Sequence, residues 1–170
     1  MDTNELLEEL FSRVDEHVEN TLDGLDPDVL ATIPEPGSNT IGWLLWHLTR
    51  VQDVHITELL ERDQVWVRGS WAARFGLDAS EASDVGYGHT AEQMARVRPE
   101  SAAAIRDYYV AVRARTRELL GSVTAADLDR IVDRRWDPPV TMGVRLVSIV
   151  DDNIQHAGQA AYVKGVLQRR

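Results

Sequence analysis

The chain has 170 residues, 44% of them hydrophobic and 27% charged, with a net charge of −10 and no cysteine. That size suits one domain spanning 1–170 around a single core, with nothing like the ~18-residue apolar run that crosses a bilayer. Missing cysteine excludes disulfides, a cysteine nucleophile, thiolate zinc sites and iron–sulfur clusters, and the acidic balance disfavours nucleic acid as a partner.

In chain order, MDTNELLEEL is acidic and amphipathic, unlike a secretory or transit leader, so a cytoplasmic protein is expected. A first helix over about Asn4 to Leu22 places Leu7, Leu10, Phe11, Val14, Val18 and Leu22 on one stripe, and Asp2 with Glu5 forms a capping box. Gly and Pro then break the pattern. A second helix, about Ile41 to Glu61, follows Ser38–Asn39–Thr40, which supplies its N-cap. Its apolar arc holds Leu44, Leu45, Leu48, Val51 and Leu59, with Asp53 expected on the opposite, solvent side. Residues 63–98 read as irregular with one or two short helical turns. Trp66, Trp71 and Phe75 in that stretch fit a cavity lid or a subunit contact.

A third helix spans about Ser101 to Leu120, with Ile105, Tyr109, Val112, Thr116 and Leu119 at helical spacing. A short turn around Ala125 to Asp129 and the break at Pro138–Pro139 lead to the last helix, about Val144 to Gln168. No alternating pattern persists over more than a few residues. The expected fold is therefore all-α, a four-helix bundle with extra short helices in its loops.

The inward faces of the second and last helices carry polar groups where aliphatic ones are the rule. Asp152 and His156 lie four residues apart and share a face, the interval at which a helix offers two ligands to one ion. His47 lies on the apolar arc of the second helix and is the best third ligand, leaving coordination positions open. His55 follows it by about 12 Å of helix and cannot bind the same ion; it reads more readily as a hydrogen-bonded core residue. Gln159 and Asn153 enlarge the polar cluster, and Tyr109, Arg145 and His55 are candidates to line a cavity. His17 is read as structural or half exposed. His89, in the Gly-rich GYGH stretch, belongs to a loop that could cover a cavity. Residue pattern alone leaves a metal or catalytic site and a charge-assisted Asp–His pair both open.

Other chemistries fail on spacing. No histidine has Glu three residues before it, as a di-iron carboxylate bundle requires. HExxH, GxGxxG after a strand, a Walker loop, CxxCH and a nucleophile elbow are all missing.

NTIGWLLWHLTRVQDVH on the second helix and DDNIQHAGQAAYVKG on the last resemble the DinB/YfiT-like superfamily of four-helix-bundle proteins. The likeness extends through WAARFGL and RWDPPVTMGVRLVSIVDD and is nearest to actinobacterial members grouped with mycothiol-dependent enzymes. It implies a divalent metal, zinc or nickel first and manganese or iron next, held by a histidine of the second helix and an H-x-x-x-H pair of the last. On this sequence those positions are His47, Asp152 and His156, so an aspartate replaces one histidine and makes a harder, more anionic site. Characterised members of the family it resembles include thiol-dependent isomerases, thiol S-transferases and amide hydrolases. The resemblance therefore implies a transferase acting on a small-molecule substrate with an external low-molecular-weight thiol. A hydrolase using activated water and a non-enzymatic, stress-linked bundle are its rivals, and a homodimer is a further expectation.

Overall fold

A computed structural model describes residues 1–78 and 83–169. Four long helices form the bundle: α1 (Thr3–Leu22), α3 (Ile41–Leu59), α7 (Ala102–Leu120) and α8 (Met142–Leu167). Short helices α2 (Pro27–Leu30), α4 (Val65–Arg68), α5 (Trp71–Arg74) and α6 (Ala91–Arg96) occupy the two long connections. Each long helix starts where a side chain can take up an orphan backbone N–H. Asp2 and Glu5 close the expected capping box, while Thr40, Ser101 and Thr141 accept from the amides of Trp43, Ala104 and Val144. A 3-10 turn at Ala125–Asp129 precedes a two-stranded antiparallel ribbon, β1 (Ile131–Asp133) with β2 (Val140–Thr141). The ribbon was not expected; two or three residues per strand are too few to establish an alternating pattern.

α3 packs against both α7 and α8, and α1 packs against the same two, so α1 and α3 lie on opposite corners. Two apolar clusters fill the interior. One gathers Trp43, Trp46, Leu48, Tyr108 and Ala157, and the other Phe11, Ile56, Leu119, Leu146 and Ile149. Between them α3, α7 and α8 are bridged by a buried polar chain. Asn153 Nδ2 donates to Gln52 Oε1 (2.6 Å), and Gln52 Nε2 donates to Thr116 Oγ1 (2.7 Å). Among the described residues, no helix is long and apolar enough to cross a membrane.

Asp53 corrects the expectation of a solvent-facing carboxylate, since it is fully buried. The connection carrying α4 folds over that side of α3 and places the amides of Val65 and Trp66 2.9 and 2.8 Å from its oxygens. Tyr108 Oη (2.8 Å) and Arg50 Nη1 (3.3 Å) complete its shell. The covering connection also buries Trp66 and Phe75, which pack on Tyr108 with ring centroids 5.2 and 5.8 Å away. Trp71 is half-buried against the same tyrosine at 5.2 Å. These rings belong to the core rather than to a lid or an exposed contact. Positions 79–82 of the irregular stretch lie outside the described residues.

Candidate metal centre

α3 and α8 make the most extensive helix pair of the bundle, and their inward polar groups meet at mid-length. His47, on α3, is buried, while Asp152 and His156, on α8, are half-buried. One ligand-capable atom from each lies within 4.8 Å of the others. Asp152 Oδ1 is 3.8 Å from His47 Nε2 and 3.5 Å from His156 Nε2. The imidazoles meet edge to face, centroids 4.6 Å apart at 82°, so their Nε2 atoms converge rather than stack.

The other nitrogen of each ring fixes its tautomer. His47 Nδ1 is hydrogen-bonded to the carbonyl of Val85, and His156 Nδ1 to Oε1 of Gln159 at 2.9 Å. Both partners are acceptors, so Nδ1 carries the proton and Nε2 the lone pair in the neutral rings. Three electron-pair donors therefore face one another with no hydrogen between them, an arrangement that calls for a cation. Without metal the cation is a proton. The Asp152 carboxylate, which pairs with the charged ring, raises the pKa of His156 against the opposing effect of burial. Burial pushes the Asp152 carboxyl up, but the facing imidazoles, His156 and then His47, outweigh it and hold it down at about 2.

The segment 84–89 covers His47. Gly86 lies under the Trp43–Trp46 pair with φ +89°, and a Cβ there would stand 2.8 Å from the Trp46 ring and 3.1 Å from His47 Nδ1. Only glycine permits both that backbone and that approach. Trp43 stacks on the His47 ring (4.7 Å, 6°), and its Nε1 donates to His89 Nδ1 at 3.1 Å. His89 Nε2 is held 3.0 Å from the Asp84 carboxylate. The GYGH loop thus does cover the site, anchored by His89.

The profile of the DinB superfamily matches residues 10–160. The chain belongs to the DinB superfamily. It is also similar over 100% of its length to a conserved protein from Enterococcus faecalis known from a crystal structure, at 32% identity and TM-score 0.91, with 99% of that chain covered. No curated protein matches it.

For a DinB superfamily chain the donor set tests well against a divalent cation. Ligands about 2 Å from a common ion lie about 3.3 Å apart in a tetrahedral site, so gaps of 3.5 and 3.8 Å need little contraction. Asp152 Oδ2 is buried without any hydrogen-bond partner, a costly state for a carboxylate that a cation would relieve. Two imidazoles and one carboxylate suit zinc in hydrolytic sites and also non-haem iron. Among the described residues, His47, Asp152 and His156 form the one such cluster, and they could hold a metal ion.

The remaining DinB candidates divide. Gln159 is exposed yet orients His156, as expected of a residue outside the ligand shell. Asn153 does not join it; one residue turns it about 100° from Asp152, and its side chain is committed to Gln52 of α3 in the buried polar chain. Tyr109 does not line the site cavity either. It faces α1 and donates to Asp15 at 2.7 Å, so the third helix turns this ring toward its other neighbour. His17 is exposed. His55 lines a cavity of about 310 Å³ together with His47, Val51, Val85, Tyr87, Ser148, Ile149 and Asp152. Arg145 stands behind it, Nη1 3.4 Å from His55 Nε2 and Nη2 2.9 Å from Asp133. A larger groove of about 550 Å³ touches the centre only through Gln159, so the smaller cavity, with two triad members in its wall, is the one that reaches the chemistry. Val85 and Gly86 were missed from sequence; the only signal was the glycine spacing in DVGYGH.

Proposed function

We propose that the protein is a metal-dependent thiol transferase of the DinB superfamily, with His47, Asp152 and His156 holding zinc or nickel, or alternatively manganese or iron. The observation that carries this reading is the convergence of three proton-free donor atoms within 4.8 Å around a buried, unpartnered carboxylate oxygen. A divalent ion held there supplies Lewis acidity, which lets a thiol lose its proton near neutral pH.

The chain's own residues do the rest. The Val85 carbonyl and Gln159 lock the two imidazole tautomers, so neither ring must turn to present its lone pair. Trp43 shields one face of His47 from water. With no cysteine in the chain, the sulfur comes from a low-molecular-weight thiol of the mycothiol type. In the transfer, that sulfur bonds to an electrophilic carbon of the second substrate, the leaving group departs with the bonding pair, and the thiol proton passes to solvent. The cavity beside His47 and Asp152 is where the small substrate would lie. The same reading places the protein in the cytoplasm.

Metal analysis by mass spectrometry tests the site. Protein purified without chelator or histidine tag should carry about one divalent ion per chain, and His47→Ala and His156→Ala should each lose most of it. Metal content unchanged in both variants would sink the assignment. Turnover of candidate electrophiles should require added thiol; turnover without it points to hydrolysis instead.

A further inference from the structure

The outward face of α8 is unlike that of the other long helices. Val144, Val147, Ile154, Gly158, Ala161 and Tyr162 recur at helical spacing within an arc of about 100°, all exposed, over about 27 Å of helix. Of the ten exposed residues of α8 from Val144 to Tyr162, Asp151 alone is charged. On α1 five of eight exposed residues are charged (Glu5, Glu9, Arg13, Glu16 and Glu19), and on α7 three of six (Asp107, Arg117 and Glu118). The solvent side of a helix is normally polar, so this side has the make-up of a covered face.

Charge and area say what covers it. The chain carries a net charge of −10, so two copies repel over most of their surface and can meet where each brings a single carboxylate. A strongly charged partner would find only Asp151 to pair with. At 52, 61, 39 and 71% exposure, Val144, Val147, Ile154 and Tyr162 leave on the order of 400 Å² open per copy, about half of each partner's share in a standard interface. The six other exposed residues of the face supply the rest.

We infer that two copies of this chain join through the outer face of α8, the two helices antiparallel about a two-fold axis level with Asn153. Each face then meets itself. Val144 of one copy lies toward Tyr162 of the other, and Val147 toward the hollow at Gly158, where a Cβ would meet nothing within 4 Å. The two Asp151 residues are offset by about 6 Å along the helices, each beside the other copy's Gln155, whose amide already donates to Asp151 of its own helix at 2.9 Å. A parallel pair would set the carboxylates directly against each other. Ser148 lies in the wall of the cavity beside the triad, and Gly158 and Tyr162 in that of the larger groove, so the second copy borders both. The pairing stands independently of the thiol reading.

Sedimentation velocity on the full chain at tens of micromolar tests it. The parent should run at twice the 19.1 kDa chain mass. Val147→Glu enters twice per dimer and buries a charge each time, so it should weaken association about 100-fold and leave a monomer with unchanged helical circular dichroism. Val110→Glu, at an exposed apolar residue of α7, should leave the dimer intact. Because the chain has no cysteine, single introduced cysteines report the register. Under oxidation Ile154→Cys, next to the axis, should cross-link to its own copy; Tyr162→Cys alone should not, whereas a mixture of Val144→Cys with Tyr162→Cys should. A monomeric parent, a dimer that survives Val147→Glu, or one lost in Val110→Glu overturns the inference. Tyr162→Cys cross-linking to itself in place of Ile154→Cys overturns the antiparallel arrangement.

Discussion

Asp152 sits between two imidazoles, and its ionisation ties stability to pH. Its carboxyl is held down at about 2 in the fold against an ordinary value of 3.8, so its contribution is present above about pH 4 and is lost as pH falls toward 2. His156 works in the opposite sense. Its pKa is raised from 6.5, so its contribution is full below that pH and fades as pH rises through the folded value. Both terms are present together between about pH 4 and 6.5. In metal-free protein, Asp152→Asn should therefore cost most near pH 5, on the order of 1 kcal/mol after solvent screening, and less on either side. Denaturant unfolding from pH 3 to 8 reads this; a cost independent of pH contradicts the pairing. A metal held by the triad would displace the His156 proton, so metal affinity should weaken as pH falls.

At the scale of elements, the loop over His47 matters as much as the helices that carry the ligands. Val85 O fixes the His47 tautomer, and Gly86 lets the loop approach closely enough to do so. Arg50 Nε also donates to the Asp84 carbonyl at 3.1 Å, tying the loop base to α3. Gly86→Ala forces a side chain against Trp46 and Trp43 on a left-handed backbone and should push the loop outward. Loss of such an orienting contact lowers metal affinity by about 10–100-fold. Competition of the variant and the parent against a calibrated chelator measures it, and equal affinity shows that the loop does not orient the ligand. The buried chain Asn153–Gln52–Thr116 has a different part: it bridges α3, α7 and α8 between the two apolar clusters, where a register slip would strand each amide unpaired.

For the whole molecule, an ion held by the triad would cross-link α3 and α8, helices far apart in the chain that already pack directly on one another. An ion that binds the folded chain alone stabilises it by about 2.7 kcal/mol at one hundred times its dissociation constant. In a chain of this size that corresponds to about 5–10 °C in Tm. Calorimetry with and without chelator should show that shift in the parent and none in Asp152→Ala. A shift of equal size in the variant would place the stabilising ion elsewhere.

Helix positions were legible because local rules set them. The capping box at Asp2, the Thr40 cap and the 3.6-residue apolar period act within one or two turns, and the observed helices begin and end within about two residues of the expected bounds. The pair Asp152–His156 was legible for the same reason, as a consequence of i, i+4 geometry. The side of each helix that the rest of the chain would cover was not. Asp53 looked solvent-facing until the α4 connection folded over it, Tyr109 was taken by Asp15, and Asn153 by Gln52. Those outcomes depend on partners 12 to 101 residues away, and no periodicity within a helix encodes them. The sequence by itself determined the elements and which donors could share a face. Only the tertiary structure decided that His47 meets those donors, with its second nitrogen on a loop carbonyl, because that depends on how α3, α8 and the intervening loop pack together.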